Sequence, residues 1–205
     1  MIRIVCPFYS EIETVKPGLR SLRNHGFDFD FAPVQGPLVH VNINLGISGG
    51  FSDDISQEPL PGFSHFLIVN SDIGFEMEHV NAALQKKVSV CALPYLRHDE
   101  PSYQVGMLEK DTPLIDFHYA LLTRGFKQVD FAGTGFLLIE RSVFTILKYP
   151  WFYMSTFQKD SKAYNIGEDI NFSNELRNRG LLMHCDFENP VYHKLRTVDD
   201  FDVKF

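Results

Sequence analysis

The chain opens on a burst of apolar, mostly β-branched residues, Ile2 to Cys6, closed by Pro7, which predicts a first strand. A helix follows, with Pro17 near its first turn, Leu19 and Leu22 on one face and Gly26 as its stop signal. Phe27 to Val34 and Leu38 to Val41 read as two more strands, parted by Gly36-Pro37. The glycine-rich NLGISGG, Asn44 to Gly50, reads as a loop or the opening of a helix. Phe66 to Val69 is a continuous apolar strand, and Val80, Ala83 and Leu84 recur at helical spacing between Glu76 and Lys87. Val88 to Leu93 is the next strand. Residues 95–128 are polar and without period, the signature of an inserted loop region.

Farther on, two apolar runs, Val129 to Ala132 and Phe136 to Ile139, bracket Gly133-Thr134-Gly135. Arg141 to Lys148 predicts a short helix ended by Pro150, and Glu168 to Arg179 a longer one with Gly180 as its C-terminal cap. Leu181 to Cys185 and Val191 to His193 close the pattern as short strands. Strands alternating with helices imply a layered α/β domain on a mostly parallel sheet. Ligands of such sheets sit beyond the carboxyl ends of the strands. That rule places Pro7-Phe8-Tyr9, Asn44 to Gly50, and Asn70 to Asp72 along one edge.

At 205 residues the chain suits one domain with a full core, and 19 phenylalanines supply the filling. Hydrophobic residues at 44% and charged residues at 22% fit an ordinary globular protein rather than a disordered one. The net charge of -7 argues against a nucleic-acid backbone as the main partner. Cys6, Cys91 and Cys185 stand far apart and read as small buried hydrophobes in a reducing compartment. The apolar start breaks too early for a signal peptide, and no run approaches the roughly 20 residues that span a bilayer. The expectation is a cytoplasmic protein.

Four stretches carry chemistry, each with a plainer reading beside it. Asn70-Ser71-Asp72 is either a turn, which all three residue types favour, or the place where Asp72 offers a hard oxygen to Mg²⁺ or Mn²⁺ holding a diphosphate. Gly167-Glu168-Asp169 opens a helix, where acidic residues gain roughly 0.3–1 kcal/mol from the dipole; alternatively one carboxylate is a general base. Gly133-Thr134-Gly135 is either a tight connection or a backbone approached closely by a ligand. It is not a dinucleotide fingerprint. His193 ends a short apolar strand as a structural residue or a metal ligand. HExxH, GxSxG and GxxxxGK[ST] are all absent, which leaves little room for a zinc hydrolase, a serine hydrolase or a P-loop NTPase.

Taken in order over residues 2–193, these pieces resemble glycosyltransferases of the GT-A fold, especially family 2-like enzymes. The resemblance runs through IVCPFYS, NLGISGG, FLIVNSD at the DxD position, GTGFLLIERSVF, GEDINFSNELRNRG at the xED position, and VYH. It implies a single GT-A-type nucleotide-binding domain over residues 1–205, a mostly parallel mixed sheet flanked by helices. Residues 1–94 are then the nucleotide-binding half and 95–205 the acceptor and catalytic half. It further implies a nucleotide-sugar donor held by Mn²⁺ or Mg²⁺, with Asp72 and His193 as metal ligands. Asp169 is the general base of an inverting transfer, beside Glu168. Pro7, Phe8 and Tyr9 border the nucleotide, Asn44, Gly46, Gly49, Asn70 and Ser71 contact the donor, and Gly133, Thr134 and Gly135 line the sugar or the acceptor.

Asn70 stands where the motif has its first Asp, and it brings a carbonyl oxygen but no charge. Phe51-Ser52-Asp53-Asp54 stands where the family often has Asn. The acceptor is a glycan or another hydroxyl compound, met by the 95–128 segment and by YPWFYMSTF, Tyr149 to Phe157. There Trp151 either stacks on a sugar ring or fills the core. Two rivals stay in view. A nucleotidyltransferase would want a basic loop after the first strand, but residues 6–12 contain no Lys or Arg. A binding module without turnover finds its support in Asn70. A nucleic-acid acceptor is disfavoured by the acidic total.

Overall fold

The computed structural model describes residues 1–50, 57–98 and 100–194; Phe51 to Asp54 lie outside them. The first half folds as β1 (Ile2–Phe8), α1 (Lys16–Asn24), β2 (Phe29–Gln35), α2 (Val39–Ser48), β3 (His65–Val69), β4 (Ile73–Gly74), α3 (Met77–Gln85) and β5 (Val90–Ala92). There follow β6 (Ser102–Leu108), β7 (Ile115–Ala120), β8 (Phe126–Val129), β9 (Phe131–Ala132), β10 (Phe136–Glu140) and α4 (Arg141–Ile146). The chain ends with β11 (Ser155–Lys159), β12 (Lys162–Ile166), α5 (Glu168–Asn178), β13 (Met183–Asp186) and β14 (Tyr192–His193).

Seven strands form one mixed sheet in the order β2-β1-β3-β10-β5-β13-β8. β1 runs parallel to β2 and β3, and β13 parallel to β5, while β10 is antiparallel to both its neighbours and β8 is antiparallel to β13. Strands of residues 1–94 and 95–205 thus interleave in the same sheet. Alternation along the strands divides the core in two. Val5, Phe66, Ile68, Leu137 and Ile139 face one side with Ile43, Phe144 and Phe172 from α2, α4 and α5. Ile4, Cys6, Leu67, Val69 and Leu138 face the other with Leu19, Leu22, Val80 and Ala83 from α1 and α3. Helices on both faces are the reason that the central strands read as unbroken apolar runs. Among the described residues, no helix is long and apolar enough to cross a membrane.

The structure corrects two expectations. Leu38 to Val41 is not a strand: Leu38, directly after Pro37, is the N-cap of α2, and the chain turns helical at Val39. The β-branched residues there mimic a strand, but Ile43 and Ile47, four apart, bury one helical face. Residues 95–128 are not an irregular loop. They hold β6 and β7, which form a small antiparallel sheet in the order β7-β6-β9, together with most of β8. The pattern hid them because β7 is largely exposed and β6 carries register irregularities that break its alternation. A β11–β12 hairpin, likewise without a strong apolar period, leads into α5.

Helix α2 lies against β1 and β2 because Gly46 lets it: a Cβ at that position would collide with the stiff, buried side chain of Val5. Gly46→Ala is therefore expected to lower stability by about 1–3 kcal/mol through overpacking. Guanidinium unfolding checks this, and an unchanged midpoint would contradict the tight α2–β1 contact.

Candidate active site

β3 delivers Asn70-Ser71-Asp72 at its carboxyl end, where the Ile73 N–H donates to Asn70 O at 3.0 Å. The stretch is therefore a turn, and the turn is what projects Asp72. The chain returns to this point 121 residues later. β14 pairs with β4, His193 opposite Ile73, and the Lys194 N–H donates to Asp72 O at 2.8 Å. This sets His193 Nε2 3.1 Å from Asp72 Oδ2. On the other side of the ring, Nδ1 lies 2.9 Å from Leu96 O. A carbonyl has no proton to give, so Nδ1 carries one. In the neutral ring the Nε2 lone pair then faces a carboxylate oxygen, a pairing that a shared proton or a cation coordinated by both atoms would satisfy.

His98 adds a second imidazole, its ring centroid 4.2 Å from that of His193. Ligand atoms of Asp72, His98 and His193 all lie within 4.8 Å of one another. They share a cleft of about 510 Å³ with Asn70, Tyr95, Arg97 and Gln104. Asn70 Oδ1 is buried there and meets no hydrogen-bond partner among the described residues. A carboxylate, two imidazoles and an unpartnered carbonyl oxygen fit a divalent cation of the Mn²⁺ type. Burial opposes ionisation of Asp72, but the His193 hydrogen bond and charge, its own backbone N–H and His98 outweigh it and hold the carboxyl below its usual range. The buried Cys6 thiol at the end of β1 is pushed up to about 12 by desolvation and then by the Asp72 charge, so it stays protonated and inert.

Asp169 sits in the first turn of α5, half-buried, with Oδ1 accepting the Ile170 N–H at 2.8 Å. Gly167 leaves room for that carboxylate, since a Cβ there would lie 2.8 Å from Oδ1. Gln104, which lines the Asp72 cleft, lies near enough to favour the charged form of the Asp169 carboxyl slightly. Desolvation first, then the neighbouring Glu168 charge, pushes the Asp169 carboxyl up to about 7. A carboxylate with that value exchanges protons at neutral pH.

No protein-family model matches the chain, and no curated protein matches it. Solved structures do. A197 from STIV superposes with a TM-score of 0.61 at 16% identity, covering 94% of this chain and 84% of that one. The catalytic domain of Drosophila β1,4-galactosyltransferase 7, in complex with xylobiose, gives 0.53 at 15% identity over 98% of this chain and 73% of that one. GalNAc-T7 with UDP, GalNAc and Mn²⁺ gives 0.56 at 10% identity, covering 94% of this chain and 43% of its own. The fold is that of GT-A glycosyltransferase domains.

On this GT-A sheet the expected site residues divide into two sets. Asn70, Asp72 and His193 come together in the cleft, while Asp169, on the first turn of α5, is near enough to act electrostatically on Tyr95 of its lining. Pro7 and Phe8 close β1, and Tyr9 beyond it is 75% exposed, its carbonyl accepting the Gln35 amide at 3.2 Å. Ser71 is half-buried in the turn. Asn44, Gly46, Gly49 and Trp151 do not line this cleft. Asn44 holds the Phe152 backbone by donating to its carbonyl at 2.7 Å and accepting its N–H at 3.2 Å. Gly46 admits Val5, and Gly49 ends α2 with φ +71. Trp151, 1% exposed, donates its indole N–H to Phe144 O at 3.1 Å and packs edge-on against Phe144 and Tyr149, so it has no free face for a sugar.

The glycine pair has a use of its own. Tyr95 lies across this backbone, its hydroxyl accepting the Gly135 N–H at 3.2 Å, and a Cβ at either Gly133 or Gly135 would collide with its ring or hydroxyl. The close approach expected of a ligand is made by Tyr95, with buried Thr134 between the glycines. Tyr95, His98 and Gln104 all belong to the segment read as a loop. Extending the strand-end rule to β5 would have flagged Tyr95 and His98.

Two results are expected. With chelator present, the wild type should lose stability as pH rises from about 4 to 7, because the folded state holds the Asp169 proton more tightly than the unfolded chain. Asp169→Asn removes that slope. The two should unfold alike near pH 4, while at pH 8 the variant gains on the order of 1–3 kcal/mol in guanidinium titrations. In calorimetry, Asp72→Ala and His193→Ala should each weaken Mn²⁺ binding by more than about tenfold; unchanged affinity in both would remove them from the metal site.

Proposed function

We propose that this protein transfers a hexosyl or related glycosyl group from a nucleotide-sugar donor to an acceptor hydroxyl, with inversion at the sugar carbon. The observation that carries the reading is a three-ligand Asp/His/His cluster at the end of β3, accompanied by a carboxylate poised near neutral pH on the first turn of α5. Support also comes from the fold, shared with a galactosyltransferase domain and with a protein solved with UDP, GalNAc and Mn²⁺. In this reading residues 1–94 seat the nucleotide and 95–205 the acceptor and the base, and the order of the motifs is of the family 2-like kind.

Asp72, His193 and His98 would hold Mn²⁺ or Mg²⁺, with Asn70 Oδ1 as a neutral contact to the cation or the donor. Bound there, the cation neutralises the charge that develops on the departing diphosphate. Asp169, ionised, accepts the proton of the acceptor hydroxyl. The acceptor oxygen bonds to the sugar carbon from one face as the bond to the diphosphate oxygen breaks on the other, and the nucleoside diphosphate leaves with the electron pair. Glu168 keeps the proton affinity of Asp169 high. The acceptor is a glycan or another hydroxyl compound; the net charge of -7 speaks against a nucleic acid. A reducing, cytoplasmic setting is part of the proposal, supported by the free, buried Cys6, Cys91 and Cys185. One observation favours a second reading, a donor-binding module without turnover: Asn70 brings no charge to the cluster.

A thermal-shift panel of UDP-, GDP-, ADP- and dTDP-sugars, each with and without Mn²⁺, tests the donor class, since a ligand that binds the native state raises the melting temperature. One donor should stand out, and only with the cation. Absence of any shift would sink the transfer reading. Asp169→Asn should keep that donor shift while losing transfer by about 10²-fold or more. Donor binding without hydrolysis or transfer in the wild type would support the silent module.

A further inference from the structure

The loop after β5 brings a permanent positive charge to the cleft of Asp72. Tyr95 and Arg97, two apart on an extended stretch, both line the cleft, while Leu96 between them is buried in the core. The stretch is zipped to β6. Leu96 bridges Tyr103, the Arg97 N–H donates to Ser102 O at 3.0 Å, and the Gln104 N–H donates to Tyr95 O at 2.9 Å. Arg97 is thus held at its backbone next to His98, whose ring centroid lies 4.2 Å from that of His193. Its side chain is only 18% exposed, so solvent screens the charge little. At the rim, Nη1 lies 3.6 Å from Oε2 of the exposed Glu100, an ion pair too long for a hydrogen bond.

We propose, resting on the nucleotide-sugar reading, that Arg97 binds the diphosphate of the donor and that the neutral Asn70 is its complement. Among the described residues lining the cleft, Asp72 is the one carboxylate and Arg97 the one guanidinium, and Asn70 adds no charge. Arg97 therefore cancels Asp72, and a divalent cation on Asp72, His98 and His193 leaves the lining with its full positive charge. A nucleotide-sugar carries one negative charge on each of its two phosphates, and the two sides balance. An acidic residue at 70, or loss of Arg97, would leave the diphosphate under-neutralised. A guanidinium presents five N–H donors in a planar fork that suits phosphate oxygens, more than the single carboxylate of Glu100 can take. When the bond to the sugar breaks, the diphosphate gains a further charge, which a fixed cation beside it stabilises.

The test is calorimetry on the wild type, Arg97→Gln and Arg97→Lys, first with Mn²⁺ alone and then with UDP, GDP, ADP and dTDP in saturating Mn²⁺. Arg97→Gln should bind Mn²⁺ alone at least as tightly as the wild type, since a like charge has gone from beside the ion. The nucleoside diphosphate that the wild type holds best should bind this variant about tenfold or more weakly. Arg97→Lys should recover part of the loss, having the charge but not the fork. Unchanged diphosphate affinity in folded Arg97→Gln overturns the proposal and leaves the donor reading standing. Equal losses of Mn²⁺ and diphosphate affinity overturn it too, since Arg97 would then act through the fold. If Arg97→Gln does not fold, Glu100→Gln decides. With the rim carboxylate gone, the diphosphate should bind about two- to fivefold more tightly, and no change overturns the proposal. A wild type that binds Mn²⁺ but none of the four nucleotides overturns the nucleotide-sugar reading. Pyrophosphate with Mn²⁺ then decides Arg97, upheld by a gap of about tenfold between wild type and Arg97→Gln and overturned by none.

Discussion

The Asp72–His193 pair at the centre of the site depends on a two-residue strand pairing, β14 against β4, that brings the described end of the chain back to the end of β3. Closing a loop of such length costs entropy that grows only slowly with the number of residues. The closure is met by several small contacts: the ladder itself, the Lys194 N–H on Asp72 O at 2.8 Å, the Val191 N–H on Pro94 O at 3.0 Å, and an ion pair between Lys194 and Glu11 beyond β1. That ion pair is exposed and contributes little. The backbone bonds carry the placement, and from them follows the distance between Asp72 and His193.

The two carboxylates of the site are driven in opposite directions by their surroundings. Asp72 faces two histidines and its own turn, which favour its charge despite burial. Asp169 faces Glu168 from within a desolvated corner, which disfavours its charge. Groups held apart in this way can divide labour, one as a standing anion and one as a proton acceptor near pH 7. The space between them is made by glycines. Gly133 and Gly135 let Tyr95 lie on the backbone, Gly133 lets Gln104 through, and Gly167 clears the Asp169 carboxylate. Each is a position where absence of a side chain allows another side chain to be exact in its placing.

The sequence by itself determined the layered α/β order, because a strand buried on both faces must be apolar throughout and a helix on its surface must repeat every three to four residues. It also marked Asp72 and His193, polar residues at the ends of apolar runs where such sheets expose their edge, and Asp169 in the first turn of a helix. It misread Leu38 to Val41, where β-branched residues belong to a helix, and it passed over 95–128, whose strands are exposed or irregular and so carry no strong alternation. Only the tertiary structure decided which chemistry meets which. His193 pairs with Asp72 across 121 residues, and His98 and Gln104 arrive from a segment with no period to announce them. Trp151 and Asn44 turn inward to hold the core, and the glycine pair serves Tyr95. Local periodicity reports whether a residue is buried, not what it is buried against; that is fixed by strand pairing between distant segments, for which one sequence holds no local signal.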